Sequence, residues 1–200
     1  MLIIDIETSG TDVRTHGLVS IGAIEFENPT NTFYGECYLP KNKKIDKEAL
    51  PVIGFDESVL RDDTRQTPYV LLKSFIEWMS DIDDRTPAGL HVAAFDLLFL
   101  ERLADEYDLN WPLGNRSVDL HSLMYAQLKK HDPKNYELQN QRSKIYGAMI
   151  QKYCGLPEVP KPHNALTDAM WEAECFSRLL YGKNLLPEFA NHPIPDTLII

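Results

Sequence analysis

At 200 residues, 44% of them hydrophobic and 25% charged, the chain can bury one sizeable core and has the balance of a globular protein rather than a disordered or fibrous one. Its net charge of −10 argues against coating of nucleic acid by a broad basic surface, which takes many Lys and Arg contacts to phosphate, but not against an enzyme that grips one chain end through bound cations. No apolar run approaches the roughly 20 residues that span a bilayer, and Asp5 stands where a signal peptide needs its basic and apolar stretches, so a cytoplasmic protein without membrane contact is expected.

In chain order, residues 2–8 (Leu-Ile-Ile-Asp-Ile-Glu-Thr) read as a buried strand, ended by Ser9-Gly10, that presents Asp5 and Glu7 on one face. A second strand is expected at about 18–27 and, after the turn-rich Asn28 to Asn31, a third at about 32–39; such short connections favour antiparallel neighbours. Apolar residues recur at helical spacing from Thr67 to Met79 and again at Leu97, Leu100, Leu103, Ala104 and Tyr107. Between those helices, Gly89 to Ala94 is short and apolar enough for a central strand. Ser117 to Leu120 supplies another before a helix at about 121–130. A last long helix, capped by Asn164, contains Trp171, Ala173, Phe176 and Leu179. Antiparallel strands followed by crossover helices imply an α/β domain with a mixed sheet covered by helices, spanning 1–182, with 183–200 as a proline-bearing C-terminal tail or strap. The widely spaced Cys37, Cys154 and Cys175 suggest free thiols rather than disulfides or a zinc knuckle.

Three places carry chemistry. Asp5 and Glu7 lie in an otherwise apolar strand, where unpaired charge is costly unless it is paired or holds a metal; surface acids on an edge strand are the bland alternative. Asp96 interrupts the apolar run Ala93 to Leu100 at the join of a strand and a helix, where a simple helix cap is the competing role. His163 precedes the last helix, and Asp168 falls in its first turns, so both side chains can converge on one site; a solvated histidine and an ordinary helix acid are the alternative.

Together, Asp5-x-Glu7 in the first strand, Phe95-Asp96 at a central helix and His163-x-Ala165-x-x-Asp168 at the last helix resemble the DnaQ-like exonucleases. These form the histidine-bearing branch of the DEDD family in the ribonuclease H-like superfamily. The resemblance covers about residues 1–180, with the motifs in the family's order. It implies a ribonuclease H-like mixed β-sheet flanked by helices, and hydrolysis of phosphodiester bonds at the 3′ end of DNA or RNA with release of nucleoside 5′-monophosphates. It makes Asp5, Glu7, Asp96 and Asp168 carboxylates that hold two Mg²⁺ or Mn²⁺ ions, and His163 the base for the attacking water. Thr8 and Phe95 become contacts for the terminal nucleotide, the phenyl ring being equally able to pack in the core. The expected partner is a single-stranded 3′ end, with a polymerase or a homodimer as further partners. Two divalent ions would bring the net charge to about −6 and concentrate positive charge where phosphate sits.

One departure stands at His91-Val92, where many family members read His-Asn, and it bears on how the substrate backbone is held. Two readings compete with the exonuclease. A catalytically inactive nucleic-acid-binding or scaffolding module would show lost acids, and a ribonuclease H-type endonuclease would lack the His-x-Ala-x-x-Asp arrangement.

Overall fold

The computed structural model describes residues 1–198; the last two residues of the expected tail lie outside it. Strand β1 (Leu2–Thr8) pairs antiparallel with β2 (Leu18–Glu25), and β2 pairs antiparallel with β3 (Thr32–Glu36). Two one-turn helices, α1 (Leu50–Ile53) and α2 (Glu57–Leu60), cover the end of the sheet. They lead to α3 (Pro68–Met79), whose N-cap Thr67 accepts from the Val70 N–H at 3.1 Å. Then come β4 (Pro87–Gly89), α4 (Asp96–Glu106), β5 (Val118–Asp119) and α5 (Leu120–His131). A hairpin of β6 (Leu138–Gln139) and β7 (Arg142–Ser143), α6 (Gly147–Tyr153) and α7 (Ala165–Tyr181) complete the order. The main sheet runs β3-β2-β1-β4-β5, with β4 parallel to both β1 and β5, as a mixed sheet requires.

The period-two alternation of β1 sorts its side chains between two cores. Leu2, Ile4 and Ile6 pack with Leu71, Phe75 and Leu100, the cluster that involves α3 and α4. Ile3 packs on the opposite face with Met124, Ile150 and Phe176 from α5, α6 and α7. Asp5 and Glu7 follow the parity of Ile3 and therefore project toward the α7 side. A fully buried Phe75 and Phe176, one in each layer, contribute about 1.5–3 kcal/mol apiece.

The central strand is shorter than expected. β4 ends at Gly89 and pairs only with Leu2 and Ile3 of β1; His91, at φ 60°, turns the chain, and its carbonyl accepts the N–H groups of Ala94 and Phe95. The apolar residues from Leu90 to Ala94 thus form a turn, because Val92 is fully buried in the α3/α4 core while Ala93 and Ala94 are exposed. As a result the edge of β1 beside Asp5 and Glu7 has, among the described residues, no strand neighbour on that side.

The segment after Tyr181 folds back on α7. Leu186, Phe189 and Leu198 join the α5/α6/α7 core. The fully buried Arg178 donates to Glu174 Oε1 (2.7 Å) and to the carbonyls of Cys154 (2.8 Å), Phe189 (3.2 Å) and His192 (3.0 Å), and Glu174 Oε2 accepts from Leu185 and Leu186. An ion pair with no exposure is tolerated there because nearly all of its donors and acceptors are satisfied. The three cysteines are free and buried.

Candidate active site

Strand geometry places Asp5 and Glu7 side by side, and Gly22 explains how helix α7 reaches them. Gly22 is the cross-strand partner of Asp5, and a Cβ there would stand 2.1 Å from the backbone of Ala165 and Leu166. Only a residue without a side chain lets the first turn of α7 lie against β2 at that point. Asn164 caps α7 by accepting the Thr167 N–H at 3.2 Å, which sets Asp168 in the first turn, over the acids of β1. His163 lies just outside the helix, its own N–H bonded to the Val52 carbonyl at 2.8 Å.

Asp96 arrives from the other layer. Phe95, not Asp96, occupies the N-cap position of α4 and makes no side-chain cap; Asp96 is the first helical residue, and its Oδ1 accepts the N–H of Ile6 at 3.1 Å. The cap alternative for Asp96 is thereby set aside. Its side chain instead takes up a backbone donor on the edge of β1 that β4 stops too early to cover.

The four carboxylates and His163 thus come together. Glu7, His163 and Asp168 each offer a ligand atom, all within 4.8 Å of one another, and His163 Nδ1 sits 3.1 Å from Asp168 Oδ2. A groove of about 400 Å³ is lined by Asp5, Glu7, His163, Asp168 and Lys161, and a second of about 400 Å³ by Asp5, Phe95, Asp96 and His91. Asp5 lines both and stands at their junction.

Glu172, which sequence reasoning passed over, also lines both grooves. It lies one helical turn beyond Asp168 on α7, and its Oε2 accepts the Leu90 N–H at 3.1 Å. The i, i+4 spacing from Asp168 was the signal available for it; on an isolated helix such an acid reads as solvated. Phe95 keeps both of its expected roles: its ring lies 5.1 Å from Phe99 in the core, and it also lines the second groove. Thr8 is buried, donates to the Gly10 carbonyl at 2.9 Å and lines neither groove. Val92, where the family amide was expected, serves the core.

The acids of the cluster crowd one another in a buried place. Burial, with the charges of Asp96, Glu172, Asp168 and Glu7 added, pushes Asp5 well above the usual carboxylate range. Burial followed by the charges of Asp168 and Asp96 takes Glu7 up to about 8, and burial takes Asp96 to about 8 as well. Asp168 is raised by burial, against the lowering pull of His163, and Glu172 well raised by burial and the Asp96 charge. Among the described residues, no Lys or Arg side chain hydrogen-bonds or ion-pairs with Asp5, Glu7, Asp96, Asp168 or Glu172. Ser20, the cross-strand partner of Glu7, holds a buried hydroxyl without a hydrogen-bond partner. A crowd of oxygen donors lacking internal cations is the donor set that hard divalent ions prefer, so the residues present fit such ions.

No protein-family model matches the chain. The 3′-5′ DNA exonuclease Cap18 of Escherichia coli is 27% identical over 177 residues, covering 86% of this chain and 87% of its own. The zinc-ion-bound form of the E. coli exonuclease I complex with single-stranded DNA superposes with a TM-score of 0.69 at 14% identity, over 90% of this chain and 40% of that one. The cell-death related nuclease CRN-4 superposes with a TM-score of 0.67 at 16% identity, over 92% of this chain and 64% of its own. The chain therefore spans less than two thirds of these structural neighbours and most of Cap18. The likeness establishes the ribonuclease H-like α/β fold, a mixed five-stranded sheet flanked by helices.

Proposed function

We propose that this chain, which shares its fold and the order of its acidic motifs with the DnaQ-like exonucleases, is a metal-dependent 3′→5′ exonuclease. It would hydrolyse the terminal phosphodiester bond of a nucleic-acid strand and release nucleoside 5′-monophosphates. One observation carries the reading: Asp5, Glu7, Asp96, Asp168 and His163, drawn from a strand, two helices and a loop, meet around two adjoining grooves. The naming of Cap18 for DNA favours a DNA strand.

Asp5, Glu7, Asp96 and Asp168 would hold two divalent ions, Mg²⁺ or Mn²⁺, Asp5 lining both grooves. When bound, such ions neutralise phosphate charge and stabilise the attacking and leaving oxygens of an in-line displacement. The remaining work belongs to the chain. If His163 Nδ1–H donates to Asp168 Oδ2, the ring is held in the tautomer whose Nε2 lone pair is free, and Nε2 takes a proton from the attacking water. The water oxygen forms the new bond to phosphorus, the bond from phosphorus to the 3′ oxygen breaks, and that oxygen takes a proton from solvent to become the new 3′ hydroxyl of the shortened strand. Phe95, lining the groove beside Asp96, offers a ring face to the terminal base.

Incubation of a 5′-labelled single strand with the chain and Mg²⁺ or Mn²⁺ should produce a ladder that shortens from the 3′ end and free mononucleotides. Internal cuts, or products unchanged by chelator, would overturn the reading. RNA and DNA strands of matched sequence, run side by side, decide the sugar.

A further inference from the structure

We infer that the hairpin β6–β7 and helix α6 form a binding track for the single-stranded nucleic acid upstream of the terminal nucleotide, leading away from the carboxylate site. The direction assigned to the strand rests on the exonuclease reading; the track itself rests on separate features. In a chain of net charge −10, residues 125–153 hold six Lys and Arg against two Asp and Glu, together with four of the nine tyrosines. A cleft of about 500 Å³ opens there, lined by Lys144, Tyr146, Lys152 and Tyr153, and it shares Ala148 and Glu158 with the first groove of the site. The two hollows therefore adjoin at α6, a helix of about 10 Å for its seven residues.

The surface has the two features that hold single strands without reading sequence: cations for the backbone and exposed rings for the bases. Tyr146 is 53% exposed at the head of α6 and makes no side-chain cap to the helix. In the same stretch of chain, Lys129 lies 3.7 Å from the ring centroid of Tyr136, which meets Tyr125 edge-on at 5.4 Å. Tyr125 on α5 is 41% exposed, and Leu138, the first residue of β6, is 60% exposed. Opposing charge is limited. Glu137 is paired with Lys144 at 2.6 Å, so Lys144 meets a phosphate by exchanging Glu137 for it; Asp132 accepts from the Asn135 amide at 2.6 Å, and Glu158 stands at the join, where Lys161 and Lys152 line the two sides. A strand whose 3′ end enters the acidic pocket then meets positive charge within one helix length, which also explains how a chain of strong negative charge attracts a polyanion.

The test measures binding of a fluorescent dT13 strand, an RNA of equal length and a dinucleotide to the full chain, with Ca²⁺ in place of Mg²⁺, across a range of salt. Variants are Lys144→Gln/Lys152→Gln, Lys152→Gln alone and Tyr146→Ala, with melting temperatures as the check on folding. Losing two phosphate contacts should weaken binding of the long strand by about tenfold and lower its salt slope by about 1.4. Tyr146→Ala should weaken it about fivefold or more. Dinucleotide turnover in Mg²⁺ should stay at the wild-type level. Long-strand affinity and salt slope at wild-type values in well-folded variants overturn the track. Failure of the wild-type chain to release mononucleotides from any strand would instead sink the exonuclease reading, and the binding comparison would still judge the surface.

Discussion

Gly22 lies against the backbone of Ala165 so closely that a Cβ would stand 2.1 Å from the Ala165 carbonyl carbon. This contact sets the height of α7 over β1, and with it the approach of Asp168 and His163 to Asp5 and Glu7. Gly22→Ala should push the first turn of α7 outward, costing about 1–3 kcal/mol of stability, and should lower metal affinity as well. A lower melting temperature together with weakened Mg²⁺ binding in calorimetry is the expected pair of results; unchanged Mg²⁺ affinity would separate the helix position from the site.

Metal binding should control both activity and stability. In the metal-free fold Glu7 and Asp96 hold protons up to about pH 8, far above their ordinary values, so between about pH 4 and 8 the folded chain binds more protons than the unfolded one. The sign follows: without metal these groups reduce stability as pH rises through that window, and above it the penalty is complete. Melting in chelator should drop from pH 5 to about pH 8, and added Mg²⁺ should recover most at the alkaline end. Asp5→Asn should abolish hydrolysis, keep the fold and shrink that Mg²⁺ effect. An Asp5→Asn protein of full activity would defeat the two-ion reading.

His163 touches Asp168 without needing to be a ligand. His163→Ala should therefore spare Mg²⁺ binding and lower kcat by about 10²–10⁴-fold, the usual contribution of a general base. Turnover at the wild-type level would remove His163 from the proton transfer, and a loss of metal instead would move it to coordination, for which its ring nitrogen stands close enough to Glu7 and Asp168.

Glu172 adds a fifth carboxylate whose amide replacement keeps the acceptor for the Leu90 N–H. Glu172→Gln should raise the melting temperature of the metal-free protein by removing repulsion, and weaken Mg²⁺ binding by about tenfold, the lower end of the usual loss for residues that orient metal ligands. A purely architectural glutamate would leave Mg²⁺ affinity where it was, and titration calorimetry distinguishes the two.

Arg178 ties the segment after Tyr181 to α7. Arg178→Met strips Glu174 of its cation in a fully buried place and takes the arginine donor from the Cys154 and His192 carbonyls, while the Phe189 carbonyl keeps the His192 N–H, at a cost of about 3–5 kcal/mol. Thermal melting should show the loss, and limited proteolysis should open the chain within 183–198. Wild-type resistance to protease would show that Leu186, Phe189 and Leu198 hold that segment without the arginine.

Much of this protein is legible locally. The parity of β1 put Asp5 and Glu7 on one face, and apolar spacing outlined α3, α4, α5 and α7. Asn164 before a periodic run marked the start of the helix that carries Asp168. Each of those signals is a property of a few consecutive residues and of backbone geometry with period 2 or 3.6, so it survives without knowledge of neighbours. The apolar stretch from Leu90 to Ala94 misread as strand because burial on one side alone, at Val92, imitates a buried run. The early end of β4, the pairing of Asp96 with the Ile6 N–H instead of its own helix, the arrival of Glu172 and the joining of α6 to the carboxylate groove all depend on contacts between residues far apart in the chain. Pattern within a segment says which face is apolar, but which segment covers it, and at what height, is decided by packing such as the close approach of Gly22 to Ala165.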